Sequence, residues 1–153
     1  MKLCILGGGL TGLSLAKSLV KKGLSIDIFL NKKKSDFNRS RTIGISNDNL
    51  MYFNKEILDI KKLFWDIKKI EIYSENLRNE KILNFENNNK TVFAIIRNYQ
   101  LQSKLLKSLK KDKLCKFKQN FDYNLSNLKK YKLIINCENC LLYTSPSPRD
   151  GRE

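Results

Sequence analysis

A short apolar run breaks into glycines almost as soon as the chain begins: Lys2-Leu3-Cys4-Ile5-Leu6 is followed directly by Gly7-Gly8-Gly9. The run reads as a buried strand. From Leu10 to Lys22 apolar residues return at Leu13, Ala16, Leu19 and Val20, the spacing of one helix face, and Gly23 stops that helix. Leu24, Ile26, Ile28 and Leu30 then alternate with Ser25, Asp27 and Phe29, which is a strand by period and by β-branching. The first thirty residues therefore make a β-α-β unit. At its first turn stands Gly7-x-Gly9-x-x-Gly12. In such a turn the first glycine permits the tight bend and the second lets backbone approach a pyrophosphate. The third allows close helix–strand packing, and the helix N-terminus faces the phosphates. Gly7, Gly9 and Gly12 are thus expected to line a dinucleotide.

One position departs from that pattern. About 20 residues after the glycines an acid should end the second strand and accept hydrogen bonds from ribose hydroxyls. Here the place falls to Leu30, followed by Asn31. Leucine accepts nothing, whereas Asn31 can accept through its amide oxygen and is the candidate. Asp27 is expected inside the strand, pointing elsewhere. The departure counts against an NAD reading in particular. Lys32 to Lys34 read as a solvated loop.

Beyond a polar loop from Asn31 to Ser40, Ser46 is a plausible N-cap for a helix over 47–55, and a short helix is expected around 60–65. Strands are expected over 69–74, 81–85 and 91–96, with Asn87-Asn88-Asn89 as a turn. Asn98 then caps a helix to about Leu109, with Leu101, Leu105, Leu106 and Leu109 on one face. A short strand near 114–117 and a buried strand over 132–136 close the pattern. The fold class expected is α/β, Rossmann-like.

Composition removes several function classes. The 153 residues carry no His, so His-based triads, His-containing zinc sites and His general bases are excluded. Four scattered Cys are no disulfide framework. No apolar run approaches the ~20 residues that span a bilayer, and no signal peptide is evident, so a soluble, cytoplasmic chain is expected. The net charge of +15 would suggest nucleic acid. However, Lys, Asn and Ile together exceed a third of the chain, as an AT-rich genome would produce. The lysines are dispersed and form no arginine stripe with stacking aromatics, so no nucleic-acid partner is expected.

At Arg41-Thr42-Ile43-Gly44-Ile45-Ser46 the chain begins to resemble a family. Together with the N-terminal glycine motif, this segment resembles the N-terminal part of the FAD-dependent aromatic-ring hydroxylases, and among them the polyprenylphenol hydroxylases of ubiquinone biosynthesis. Phe64-Trp65-Asp66-Ile67 leading into Ile70-Glu71-Ile72-Tyr73-Ser74, Asn98-x-x-Leu101-Gln102-x-x-Leu105-Leu106, and Lys132-Leu133-Ile134-Ile135-Asn136-Cys137 extend it. The resemblance implies an FAD-binding domain over 1–66 and 97–139, with 67–96 starting a substrate-domain sheet. It implies Arg41 near the flavin-bearing side of FAD, and Asn98 as a further contact that competes with plain helix capping. Trp65 is expected in the core. The implied parent reduces its FAD with NAD(P)H and hydroxylates a small aromatic, polyprenylated phenol, with peripheral contact to the inner membrane. Two other readings stay open. A NAD(P)-binding Rossmann oxidoreductase would lack flavin absorbance, and a basic nucleic-acid module would show steep salt dependence.

Residues 140–150, CLLYTSPSPRD, resemble instead the translation of a sequencing-library adaptor, and both prolines fall there. Cys137-Glu138-Asn139-Cys140 is accordingly not read as a metal or redox pair. Residues 140–153 are expected to be a non-native tail on a shortened chain that hydroxylates nothing by itself.

Overall fold

The computed structural model describes residues 2–30, 39–75, 80–88, 90–119 and 129–138. In chain order its elements are β1 (Lys2–Leu6), α1 (Leu10–Lys21), β2 (Ser25–Leu30), β3 (Thr42–Ser46), α2 (Asn47–Tyr52) with a π turn over Phe53–Ile57, β4 (Phe64–Ile67), β5 (Lys69–Tyr73), β6 (Lys81–Glu86), β7 (Phe93–Arg97), α3 (Asn98–Lys110), β8 (Cys115–Gln119) and β9 (Leu133–Asn136). They fall into two compact units, residues 1–34 with 108–153, and residues 35–107.

The first unit holds a sheet in the order β8-β2-β1-β9. Each pairing is parallel, with Leu3 level with Ile26 and Leu133, and Ile28 level with Phe117. This is the Rossmann-like α/β arrangement the β-α-β pattern predicts. Alternation along the strands puts Leu3, Ile5, Ile26 and Ile28 on one face, all buried, and α1 packs on β1 and β2 with Leu13, Ala16 and Val20 buried. The helix ends where expected. Gly23 takes φ +79, Gly23 N–H bonds Val20 O and Leu24 N–H bonds Leu19 O, which caps the last turn from the left-handed region.

The opposite face carries a buried charge. Asp27 is fully buried, pointing away from the glycine turn as the strand alternation requires. Its Oδ2 receives the Tyr131 hydroxyl at 2.6 Å, Lys118 Nζ at 2.6 Å and Lys2 Nζ at 3.0 Å. Those donors come from β1, from β8 and from just ahead of β9, so one carboxylate oxygen ties β2 to all three other strands. Cys4 and Leu6 pack beside Tyr131, and Phe29 meets the Tyr131 ring edge-on at 6.3 Å. Burial opposes the charged carboxylate, yet the bonds from Lys118, Tyr131 and Lys2 hold its pKa below the ordinary 3.8. Burial and Asp27 together push the Tyr131 hydroxyl up to about 12.

The second unit contains an antiparallel sheet, β3-β7-β4, and a separate hairpin, β5-β6. Ala94 and Ile96 are fully buried, as are Leu101 and Leu105 of α3. The hairpin puts Ile70, Ile72, Leu83 and Phe85 on one face. On the other, Lys81 and then Lys69 bond Glu71 and draw its carboxyl down to about 2. Lys90 N–H bonds Asn87 O, while Asn89 of the expected asparagine turn lies outside the described residues.

Three expectations are corrected. The helix expected around 60–65 does not form: Leu63 N–H closes a turn on Ile60 O, and Phe64–Ile67 pairs with β7 because strand partnership outweighs a weak local pattern. Trp65 is no core residue; it is 49% exposed, with the Arg97 guanidinium 5.3 Å from its ring centre. The helix capped by Ser46 ends at Tyr52 and widens into the π turn, where Asn54 Oδ1 accepts the Ile60 N–H at 2.8 Å.

The Asp27 cluster gives a pH signature. A carboxyl whose folded pKa lies below its unfolded value stabilises the fold fully above the unfolded value, and this is lost as pH falls through the folded one. The stability gap between the native chain and Asp27→Asn is therefore expected to be flat from neutral pH to about pH 5, then to shrink with further acid. Tyr131→Phe is expected to cost about 1–3 kcal/mol at neutral pH. Urea titrations across pH check both.

Candidate functional site

The site grows from the C-terminal end of β1, a central strand flanked by β2 on one side and β9 on the other. In open α/β sheets this switch in strand order opens the crevice that receives ligands. Gly7 takes φ +108, a value that side chains rarely adopt, and its N–H bonds Phe29 O at 3.0 Å. On the β9 side Cys137 N–H bonds Leu6 O at 2.7 Å. A Cβ on Gly7 would stand 2.8 Å from Cys137 O, so the turn is closed by backbone on that side.

Gly12 explains how the helix seats there. A Cβ at Gly12 would lie 2.3 Å from the Gly7 carbonyl oxygen, which is rigid backbone. Only a glycine lets α1 come so near the end of β1. Gly9 is the opposite case: a Cβ there would meet nothing within 4 Å. Gly9 also caps α1 with no side-chain hydrogen bond, and no acid stands in the first turn. The first backbone bond of the helix runs from Leu13 N–H to Gly9 O, so the N–H groups of Leu10, Thr11 and Gly12 come before any intrahelical partner. Together with the positive end of the helix dipole, the open side of Gly9 suits an anion such as a pyrophosphate. The three predicted glycines are thus brought together, each in a different physical situation.

Arg41 and Asn98 lie in the second unit, where they meet each other. Asn98 N–H bonds Arg41 O at 3.0 Å, continuing the β3–β7 register one step beyond Thr42 and Arg97. The capping expectation for Asn98 is corrected, since Asn98 is itself the first residue of α3. Its Oδ1 is buried and has no hydrogen-bond partner among the described residues, which leaves an acceptor for a bound group. In the same strand Gly44 is required by packing, because a Cβ there would stand 2.1 Å from the Phe93 ring. Asn31 and the Cys140 end of the cysteine pair lie outside the described residues. Among the described residues no group of His, Cys, Asp or Glu could hold a metal ion. No helix among them is long and apolar enough to cross a membrane.

Sequence reasoning placed Asp27 within its strand but missed the cluster around it. A lone acid between Ile26 and Ile28 of a strand destined for burial was the available signal, since a buried carboxylate demands partners.

This geometry defines a dinucleotide-type β-α-β fold with an anion-suited glycine turn. No protein-family profile matches the chain, and no curated protein matches it. Solved structures do. p-Nitrophenol 4-monooxygenase PnpA from Pseudomonas putida superposes with a TM-score of 0.62 at 16% identity, over 77% of this chain and 31% of that one. PqsL from Pseudomonas aeruginosa, a probable FAD-dependent monooxygenase, gives 0.62 at 13% over 78% and 32%. HpxO from Klebsiella pneumoniae, solved with FAD and uric acid, gives 0.57 at 18% over 76% and 30%. The chain therefore shares the fold of part of these proteins, and it spans about a third of their length.

The two glycines predict opposite outcomes. Gly12→Ala forces a methyl onto the Gly7 carbonyl and is expected to cost about 1–3 kcal/mol. Gly9→Val, at φ −73 and ψ 177 with open space beyond, is expected to cost about 1 kcal/mol or less. Paired denaturant melts check the order.

Proposed function

We propose that this chain is the FAD-binding part of a flavin-dependent aromatic-ring monooxygenase. The observation that carries the reading is the glycine turn, in which Gly12 seats the helix on Gly7 while Gly9 faces open space at the head of uncapped N–H groups. The monooxygenase fold supports it. In this reading Gly7, Gly9 and Gly12 hold the pyrophosphate of FAD, and Arg41 and Asn98 are further cofactor contacts on the sequence resemblance alone. Asn31 stands as a ribose contact on sequence grounds alone. Residues 1–66 with 97–139 serve the cofactor, and the strands within 67–96 begin the sheet that covers the substrate.

When bound, FAD reduced by NAD(P)H supplies the chemistry by which one atom of O₂ reaches the aromatic ring. The residues of this chain bind and orient. The backbone N–H groups at the start of α1 hold the phosphates without a charged side chain, and the backbone of Cys137 borders the turn on the β9 side. The sequence resemblance at residues 41–46 and 98–106 favours a polyprenylphenol of ubiquinone biosynthesis as substrate, with membrane contact through the polyprenyl tail. PqsL has been solved with 2-aminobenzoylacetate and HpxO with uric acid, which supports a small cyclic or aromatic substrate for the class.

Titration of the chain with FAD, followed by flavin fluorescence, tests the proposal. Saturable binding is expected for the native chain and at least a tenfold loss for Gly9→Val, whose fold is preserved. Equal binding by both would move the cofactor away from the glycine turn.

A further inference from the structure

The strand that closes the parallel sheet borders the glycine turn, yet it buries little of itself. β9 is four residues long: Leu133 and Asn136 are exposed, and Ile134 and Ile135 are half-buried. Among the described residues of 129–138 only Tyr131 is buried, at 7% exposure. Apolar burial along the strand therefore does little to fix where it lies. The segment depends on Tyr131 as its anchor.

Tyr131 is held at several points. Its hydroxyl donates to Asp27 Oδ2 at 2.6 Å and receives Lys118 Nζ at 3.4 Å. Its ring meets Phe29 edge-on and packs beside Cys4 and Leu6. One residue later Lys132 N–H bonds Lys2 O at 3.1 Å, and the ladder then runs from Leu133 level with Leu3 to Asn136 level with Leu6. It ends where Cys137 N–H bonds Leu6 O. There the backbone stands against the turn: a Cβ on Gly7 would be 2.8 Å from Cys137 O and 2.9 Å from Glu138 N. A Cβ on Gly12 would lie 3.4 Å from Cys137 Cβ. The anchor and the glycine turn thus sit at opposite ends of one short strand.

We infer that Tyr131 is a positioning residue for the cofactor: its bond to Asp27 seats β9, and the seated strand holds the Gly7–Gly12 turn in the shape that receives the pyrophosphate. The inference rests on the proposed FAD site. Tyr131 acts from the far end of the strand, on the sheet face away from α1, so its effect on the cofactor passes through β9. The coupling is reciprocal: a cofactor that needs the seated strand must also favour its seating, by the same factor.

The test uses Tyr131→Phe, which removes the hydroxyl, keeps the ring and leaves Lys2 and Lys118 on Asp27. FAD affinity is read by flavin fluorescence beside hydrogen exchange of the Cys137 amide, which reports whether the far end of β9 is seated. FAD binding is expected to weaken at least fivefold and the amide to exchange at least fivefold faster, while saturating FAD slows that exchange in the native chain. Val20→Ala, at the other end of α1 from the turn, is the control for a general loss of stability and is expected to leave FAD affinity within twofold. Lys132→Pro removes the N–H bonded to Lys2 O at the start of the strand. It is expected to reproduce both changes without touching the Asp27 cluster, and it decides if Tyr131→Phe fails to fold. Native FAD affinity or unchanged Cys137 exchange in the folded variant would overturn the inference and leave the FAD site standing. An equal loss of affinity in Val20→Ala would overturn it as well. A native chain that shows no saturable binding would instead bring down the FAD reading, and the inference with it.

Discussion

The approach of Gly12 to the Gly7 carbonyl sets the position of the first helix, and most of the first unit follows from that contact. With α1 held at backbone distance from the end of β1, its buried residues Leu13, Ala16 and Val20 fall on the sheet, and its N-terminal N–H groups open beside Gly9. A side chain at position 12 would lift the helix by the width of a methyl group. The packed face and the anion-suited turn would loosen together, since both depend on where one helix begins. Cys137, arriving at the end of β9, closes the same turn from the other side.

The two faces of the sheet solve burial differently. Under α1 the solution is hydrocarbon against hydrocarbon. On the other face a single carboxylate collects two ammonium groups and a phenol on one oxygen, while Asp27 Oδ1 has no partner among the described residues. Such a cluster costs desolvation that its bonds must offset. What it secures is order across the sheet, because a single acceptor is reached from each neighbouring strand. Burial next to that carboxylate also lifts the Cys4 thiol to about 11, and burial lifts that of Cys115 to about 11, so both stay protonated and inert at neutral pH.

The local signals in the sequence were strong where period and glycine agreed. The β-α-β unit, the Gly23 stop, the Ser46 cap and the long α3 helix could all be read from spacing, because each rests on interactions within a few residues. What could not be read rests on partners far along the chain. Phe64–Ile67 is a strand because Phe93–Arg97 lies beside it, and Trp65 faces outward because of that register. Gly44 is glycine because Phe93 covers it. The meeting of Asn98 with Arg41 is likewise a product of pairing, and no spacing rule announces it. The motif residues were legible; the contacts that give each its role were not.

The tie at Asp27 has a consequence for how the first unit comes together. Tyr131 stands 104 residues from Asp27 in sequence, and Lys118 lies on β8, close behind α3. The β-α-β unit can form early from near neighbours, but until the two outer strands arrive Lys2 is the only cation of the cluster at hand, and the carboxylate stays in water. The sheet therefore closes by long-range pairing, which is the slow kind. During synthesis β1 and β2 emerge well before β9, and Asp27 waits in water until the segment that bears Tyr131 has left the ribosome, its charge marking an unfinished sheet.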